Sequence, residues 1–164
     1  MYRNILLPTD GLAKCKYGTC HGILLAKSLN AKITAAYVTR HLTAQEILGY
    51  YHEDLPWAVS NGGRKAQAAI AQAQEAHEEE AEKALEVAER MCAENGVPCT
   101  KVHLEEESPA DGIVTAARKN GCDLIFISTH GNPGVMGALF GTVASKVMSH
   151  TTIPVLVHHC GGPA

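Results

Sequence analysis

Five short apolar runs, each separated from the next by a stretch with helical periodicity, constrain this chain more than any other feature of its sequence. They are Tyr2–Pro8, Lys32–Thr39, Cys99–Leu104, Asp123–Ser128 and Ile153–His158. Leu124-Ile125-Phe126-Ile127 and Ile153-Pro154-Val155-Leu156-Val157 are continuously apolar, with no alternation. A strand with one wet face alternates polar and apolar residues, whereas a strand covered on both faces by helices does not. The runs therefore read as strands of a sheet buried between two helical layers.

The intervening stretches supply those layers. The first puts Cys15, Gly18, Gly22, Leu25, Ala26 and Leu29 on one face at steps of three and four residues. An interior glycine costs a helix about 1 kcal/mol against alanine, so two of them predict a close approach of this helix to the sheet. The second, from about Arg64 to Asn95, carries a stripe of Ile70, Ala73, His77, Ala81, Ala84, Leu85 and Ala88, and stops at Asn95-Gly96 before Pro98. The third opens on Ser108 as N-cap, with Pro109 in the first turn and Asp111 near the positive dipole end, and closes on Arg118-Lys119-Asn120-Gly121. The last spans about Gly141 to Ser149. The resulting order, β-α-β-α-β-α-β-α-β, predicts an α/β fold: one doubly wound, five-stranded parallel sheet of order 3-2-1-4-5 with helices on both faces.

Residues 1–160 read as one domain, with 41–63 as a long variable loop and 161–164 as a loose tail. The loop holds Gly49-Tyr50-Tyr51, the lone Trp57 and Asn61-Gly62-Gly63. A net charge of −3 carries no basic footprint for nucleic acid or for an anionic membrane. No apolar run approaches the roughly 20 residues that span a bilayer. Ile5-Leu6-Leu7 is too brief for a signal-peptide core, and the cysteines at 15, 20, 92, 99, 122 and 160 form no CxxC pair. Reduced thiols in the cytoplasm are the expectation.

In an open parallel sheet, ligands bind beyond the carboxyl ends of the strands where the strand order reverses. For the order 3-2-1-4-5 that place lies between the first and fourth strands. Pro8-Thr9-Asp10-Gly11 follows the first, and Ser128-Thr129-His130-Gly131 ends the fourth and leads to Asn132-Pro133-Gly134 and Gly141-Thr142. Glycines let backbone N–H groups approach an anion, and a helix beginning near Gly141 adds its unpaired N–H groups and positive dipole end. The combination predicts a phosphate cradle. It is neither a GxxxxGK[ST] loop nor a GxGxxG turn.

At this point the chain resembles the universal stress protein family. ATP-binding members carry Gly-x2-Gly-x9-Gly-Ser/Thr after the fourth strand, and this chain has Ser128-x2-Gly131-x9-Gly141-Thr142 at the same spacing. Asn4-Ile5-Leu6-Leu7-Pro8-Thr9-Asp10-Gly11 is similar to the family's opening strand and turn, and Ile153-Pro154-Val155-Leu156-Val157 to its closing strand. The resemblance covers nearly the whole chain apart from the loop from His41 to Gly63. It implies that Pro8, Thr9, Asp10 and Val38 hold the adenine and ribose of ATP, or of AMP or another adenine nucleotide. Gly131, Gly141, Thr142 and Val143 would hold the phosphates, with Ser128, Thr129, His130 and Gly134 completing the loop and Mg²⁺ compensating charge. Independently of the resemblance, the Asp10 carboxylate suits ribose hydroxyls.

The motif's first glycine is Ser128 here, whose Cβ either crowds the nucleotide or whose hydroxyl replaces a contact; Pro133 removes one N–H donor. Plainer roles stand beside the functional ones. The glycines serve as turn residues, Asp10 as a cap of the first helix, and His130 as a hydrogen-bonding orienter of the loop. Cys15, Cys20 and His21, and likewise His158, His159 and Cys160, lack zinc spacing, so no metal site is expected. Glu78-Glu79-Glu80 reads as a solvated helix face. The last strand would lie at a sheet edge with no charge between Ile153 and Val157, which predicts a two-fold homodimer through it.

The functional expectation is a dimeric, ATP-binding stress-response sensor or regulatory module without catalytic residues of its own. The alternatives are a non-nucleotide interaction module of the same fold, with an unidentified protein partner, and a slow ATPase. No arginine finger, general base or acidic pair poised for magnesium supports the last.

Overall fold

The computed structural model describes residues 1–11, 16–40, 64–129 and 142–160. The elements run β1 (Asn4–Pro8), α1 (Lys16–Leu29), β2 (Lys32–Arg40), α2 (Arg64–Glu94), β3 (Cys99–Glu106), α3 (Pro109–Lys119), β4 (Leu124–Thr129), α4 (Thr142–His150) and β5 (Val155–His159). The sheet has the order β3-β2-β1-β4-β5 with every pairing parallel, as the alternation of patterns predicts. Expectations about residues 41–63 and 161–164, and about Cys15 on α1, lie outside the described residues.

The two-sided apolar strands are accounted for by the pleat, which sends successive side chains to opposite faces. On one face Ile5, Leu7, Ile33, Ala35, Leu124 and Phe126 pack with Ile23 and Ala26 of α1 and with Leu85, Ala88 and Cys92 of α2. On the other, Leu6, Ala36, Ile125 and Ile127 pack with Ile113, Val114 and Ala117 of α3 and with Ala144 and Val147 of α4. Among the described side chains of α2, the buried ones lie in the carboxyl half, where Ala81, Ala84, Leu85, Ala88 and Cys92 meet the sheet. Ile70, Ala73 and His77 of the same stripe are only partly covered.

The glycines of α1 let it sit close. A Cβ on Gly22 would lie 2.8 Å from Leu7 Cδ1 and 3.1 Å from Phe126 Cδ1. One on Gly18 would overlap Ser128 Oγ and lie 2.5 Å from Ser128 Cβ. Only hydrogen fits at either place.

The third helix starts where its sequence predicts, but its cap works differently. Ser108 has extended backbone angles (φ −117°, ψ 122°) and Pro109 opens the helix, yet the Ser108 hydroxyl makes no capping bond to a backbone N–H. The hydroxyl instead helps hold the Asp111 carboxyl below its ordinary value. The Ser108 carbonyl accepts the first helical bond, from Gly112 N at 3.0 Å.

Both sheet edges are visible. On β3, outward Lys101 and Glu105 put charges along the free edge, a common guard against further pairing. On β5 no charged residue guards the edge, and Leu156 is 39% exposed. No helix among the described residues is long and apolar enough to cross a membrane.

Candidate functional site

A crevice of about 430 Å³ opens beyond the carboxyl ends of β1, β2 and β4. Its position follows from topology: β1 pairs with both β2 and β4, and the chain leaves those neighbours toward opposite layers. Pro8, Thr9 and Asp10 from the end of β1 form one wall. Ser128 and Thr129 from β4, with Thr142, Val143 and Ala144 from the first turn of α4, form the facing wall. Ala36, Tyr37 and Val38 from β2, and Pro109 and Ile113 from α3, close the side between them.

Eight of the twelve residues expected at the site are described, and all eight line this crevice: Pro8, Thr9, Asp10, Val38, Ser128, Thr129, Thr142 and Val143. His130, Gly131, Gly134 and Gly141, and the neighbouring Pro133, lie outside the described residues. The sequence reading missed the apolar side made by Ala36, Pro109, Ile113, Ile127 and Ala144. A signal for part of it was present. In a doubly wound fold the first turn of each helix follows a strand's carboxyl end, so Pro109 and Ile113 at the start of α3 were candidates by position.

The structure shows which way the Ser128 side chain points. In β4, residues 124 and 126 face α1 and α2, and residues 125 and 127 face α3 and α4. By the same alternation the Ser128 side chain faces α1, and its Cβ and Oγ rest against Gly18. Ser128 lines the crevice, with its hydroxyl turned toward α1 and Gly18. Thr129 faces the α3 and α4 side and is buried.

Polar groups near the mouth have defined partners. The Thr9 hydroxyl accepts a bond from Gly11 N at 3.3 Å, and Thr9 N donates to Ala36 O at 2.9 Å, extending the parallel ladder by one residue. Gly11, at φ +71°, turns the chain out of the crevice with space for a Cβ only 3.1 Å from Ala84 Cβ. The first α1 residue described is Lys16, so a cap by Asp10 would involve residues outside the described set. Burial, and after it the negative charges of Glu80 and Asp10, push the Tyr37 phenol above its ordinary value, so Tyr37 offers the crevice a neutral ring.

The two helices flanking the crevice are joined at their far side. His150 Nδ1 of α4 lies 2.8 Å from Asp111 Oδ1 of α3, and Arg118 Nη2 donates to the His150 carbonyl at 3.2 Å. The hydrogen bond to His150 is the main cause holding the Asp111 carboxyl below its ordinary value.

Tertiary folding also brings together two groups that are far apart in sequence. The His21 ring of α1 lies 4.5 Å from that of His158 on β5, and His158 stacks at 6.0 Å on Phe126. Among the described residues, no three of His, Cys, Asp and Glu are placed to hold a metal ion. Burial, then His21, then His159, hold His158 below its ordinary value of 6.5. The folded state therefore binds this proton less readily than the unfolded chain does. Its stability contribution is intact above about pH 6.5 and is lost as the pH falls from there through the lower folded value. Urea unfolding at pH 7.5 and 5.5 is expected to show a lower midpoint at pH 5.5, with a smaller difference in His158→Gln. An equal difference in that variant would assign the acid sensitivity elsewhere.

Comparison with known proteins gives a consistent result. A model described as the universal stress protein family matches residues 1–159. Universal stress protein MJ0531 of Methanocaldococcus jannaschii is 32% identical over 159 residues, covering 96% of this chain and 82% of that protein. A crystal structure of a universal stress protein in complex with cAMP superposes with a TM-score of 0.65 at 18% identity, covering 98% of both chains. The universal stress protein from Archaeoglobus fulgidus in complex with dAMP superposes at 0.57 with 17% identity, covering 95% of this chain and 97% of that one. At these identities the structural matches speak for the fold.

Proposed function

Since this chain belongs to the universal stress protein family, we propose that its switch-point crevice binds an adenine nucleotide, with ATP as the expected ligand, and that the protein acts as a dimeric binding module in stress response. The observation that carries this reading is the convergence of Asp10, the apolar side of Val38 and Ile113, and the first turn of α4 on one crevice. An apolar slot suits a purine ring, a carboxylate suits the paired hydroxyls of ribose, and a helix amino terminus suits phosphate. Two structural neighbours are described as complexes with cAMP and dAMP, which supports an adenine nucleotide as the ligand class.

Pro8, Thr9, Asp10 and Val38 would hold the adenosine half, and Thr142 and Val143, with Gly131, Gly134 and Gly141 of the motif, the phosphates. Ser128 would contribute to the crevice wall while its hydroxyl stays against Gly18. Mg²⁺ would enter with the triphosphate, compensating its charge. The unguarded β5 edge with exposed Leu156 supports dimerisation through that strand, and the absence of a charged guard distinguishes it from β3.

The test is calorimetric titration of ATP, AMP and cAMP, each with and without Mg²⁺, on protein whose sedimentation coefficient is measured in parallel. Saturable binding is expected, weakened about 10- to 100-fold in Asp10→Asn, the range for losing a hydrogen bond to a charged group. No binding heat at two temperatures, with no nucleotide released by acid, overturns the nucleotide reading. A dimer that persists under those conditions would then favour the interaction-module alternative.

A further inference from the structure

Helix α2 ends in a turn that folds the chain back on itself at a cysteine. Gly96 at φ +70° takes the left-handed position, Gly96 N donates to Ala93 O at 3.0 Å, and Val97 N donates to Cys92 O at 2.9 Å. This pair of bonds is the Schellman arrangement, which reverses the chain sharply after a helix. Pro98 follows, and Cys99 begins β3. The reversal sets the Cys99 side chain against the core that contains Cys92. The Cys99 Sγ faces the Thr100 carbonyl oxygen at 3.9 Å, and each thiol is the first influence on the other's ionisation.

Their environments differ in a way that divides two roles. Cys92 is fully buried, whereas Cys99 is only partly covered and lies on the edge strand of the sheet, open to small solutes. The Cys92 thiol, with further help from the Ala35 backbone and the charge of Lys101, holds Cys99 below the ordinary thiol value against the opposing effects of burial and of Glu89. The Cys99 thiol, and next its own burial, push Cys92 far above that value. A thiolate is the reactive form of cysteine, so Cys99 is suited to attack and Cys92 to remain a protonated partner. Cys122 is buried and pushed upward with no thiol partner among the described residues, the inert condition of a structural cysteine.

We propose that Cys92 and Cys99 form a peroxide-sensitive dithiol that closes to an intrachain disulfide at the carboxyl end of α2. The Cys99 thiolate sulfur attacks one oxygen of hydrogen peroxide, the O–O bond breaks, and the departing hydroxide takes up a proton to leave as water. Cys99 is then a sulfenic acid. The Cys92 sulfur attacks the Cys99 sulfur, the S–O bond breaks, and the hydroxide leaves as a second water with the proton from Cys92. Two thiols have lost two electrons and one peroxide has gained them. This site is remote in sequence from the crevice residues at 8–10 and 128–143, and its chemistry does not depend on nucleotide binding.

The experiment treats the full chain with hydrogen peroxide near neutral pH, blocks residual thiols with iodoacetamide and digests with trypsin. Cleavage after Arg90 and Lys101 leaves both cysteines in one peptide, Met91–Lys101. That peptide is expected to lose two hydrogens and its capacity for alkylation at least about tenfold faster than Cys122 loses its own. In Cys92→Ala, a dimedone adduct should accumulate on Cys99 in place of the disulfide. Retention of both alkylatable thiols in Met91–Lys101, under peroxide that oxidises the chain's other cysteines, would overturn the proposal. So would a disulfide joining either residue to a different cysteine. The wild-type digest decides the matter even if the Cys92→Ala variant does not fold.

Discussion

Substituting Gly18→Ala is expected to destabilise the protein by about 1–3 kcal/mol, the usual cost of forcing an added methyl into a packed interior. Helix propensity alone argues the reverse, since alanine is favoured over glycine by about 1 kcal/mol inside a helix. Packing should win because the obstacle is not the far end of a flexible chain. The new methyl would meet Ser128 Oγ, lie 2.5 Å from Ser128 Cβ and 3.0 Å from Cys160 Sγ. Ser128 Cβ is fixed to β4, so α1 must lift from the sheet, loosening the contact of Gly22 with Leu7 and Phe126.

The partner substitution makes the cause testable. Ser128→Gly removes both of the nearest atoms, so Gly18→Ala/Ser128→Gly should recover most of the lost stability. The coupling between the two sites should be of the same size as the single loss, about 1–3 kcal/mol. Thermal unfolding of the four proteins in the cycle measures it, at about 2–4 °C per kcal/mol for a chain of this length. Additive losses would mean that Ser128 and α1 do not compete for space. Ser128→Gly alone should leave nucleotide affinity unchanged, because the side chain it removes faces α1.

The second large effect is expected at Asn4. This side chain is 5% exposed and ties three elements together: its Oδ1 accepts from Thr34 Oγ1 of β2 at 2.9 Å, and its Nδ2 donates to the Asn120 carbonyl after α3 at 2.9 Å. Its own backbone N, with that of Arg3, donates to the carboxylate of Asp123 at 2.8–3.1 Å. Asn4→Ala keeps the backbone bonds and deletes both side-chain bonds, leaving a hydroxyl on Thr34, which is 1% exposed, to find another partner. An orphaned buried polar group costs about 1–3 kcal/mol, so the loss should reach about 2–4 kcal/mol. Urea unfolding would show it as a lower midpoint with an unchanged slope. Replacing both ends of the buried bond, as Asn4→Leu/Thr34→Val, should recover part of this, since no polar group is then stranded on the Thr34 side. A double variant weaker than Asn4→Ala would place the cost in the Asn120 contact.

These two sites differ in how readable they are without coordinates. Nothing in the local sequence marks Gly18 as the partner of Ser128, 110 positions away. The alternation of β4 tells which residues share a face with Ser128, but not which helix covers that face. Asn4 is similar. A polar residue at the start of an apolar run reads as a strand boundary, and only the neighbouring strand and the turn after α3 make it a buried junction.

What the sequence determined by itself was the order of elements, their parallel arrangement and the end of the sheet where a ligand would sit. Those follow from local physics: runs apolar on both faces require helices above and below, glycine and asparagine stop helices where the chain must reverse, and parallel strands place their carboxyl ends together. The family resemblance named the same end of the sheet through Asp10 and the Ser128–Thr142 motif. The tertiary structure alone decided which way Ser128 points, that Ala36 and Ile127 line the crevice, and that His21 meets His158. It also packed Cys99 against the core cluster that holds Cys92, a residue only seven positions away. Each of these depends on a contact between elements, and such contacts are set by how closely a helix can approach a strand rather than by the pattern of either one.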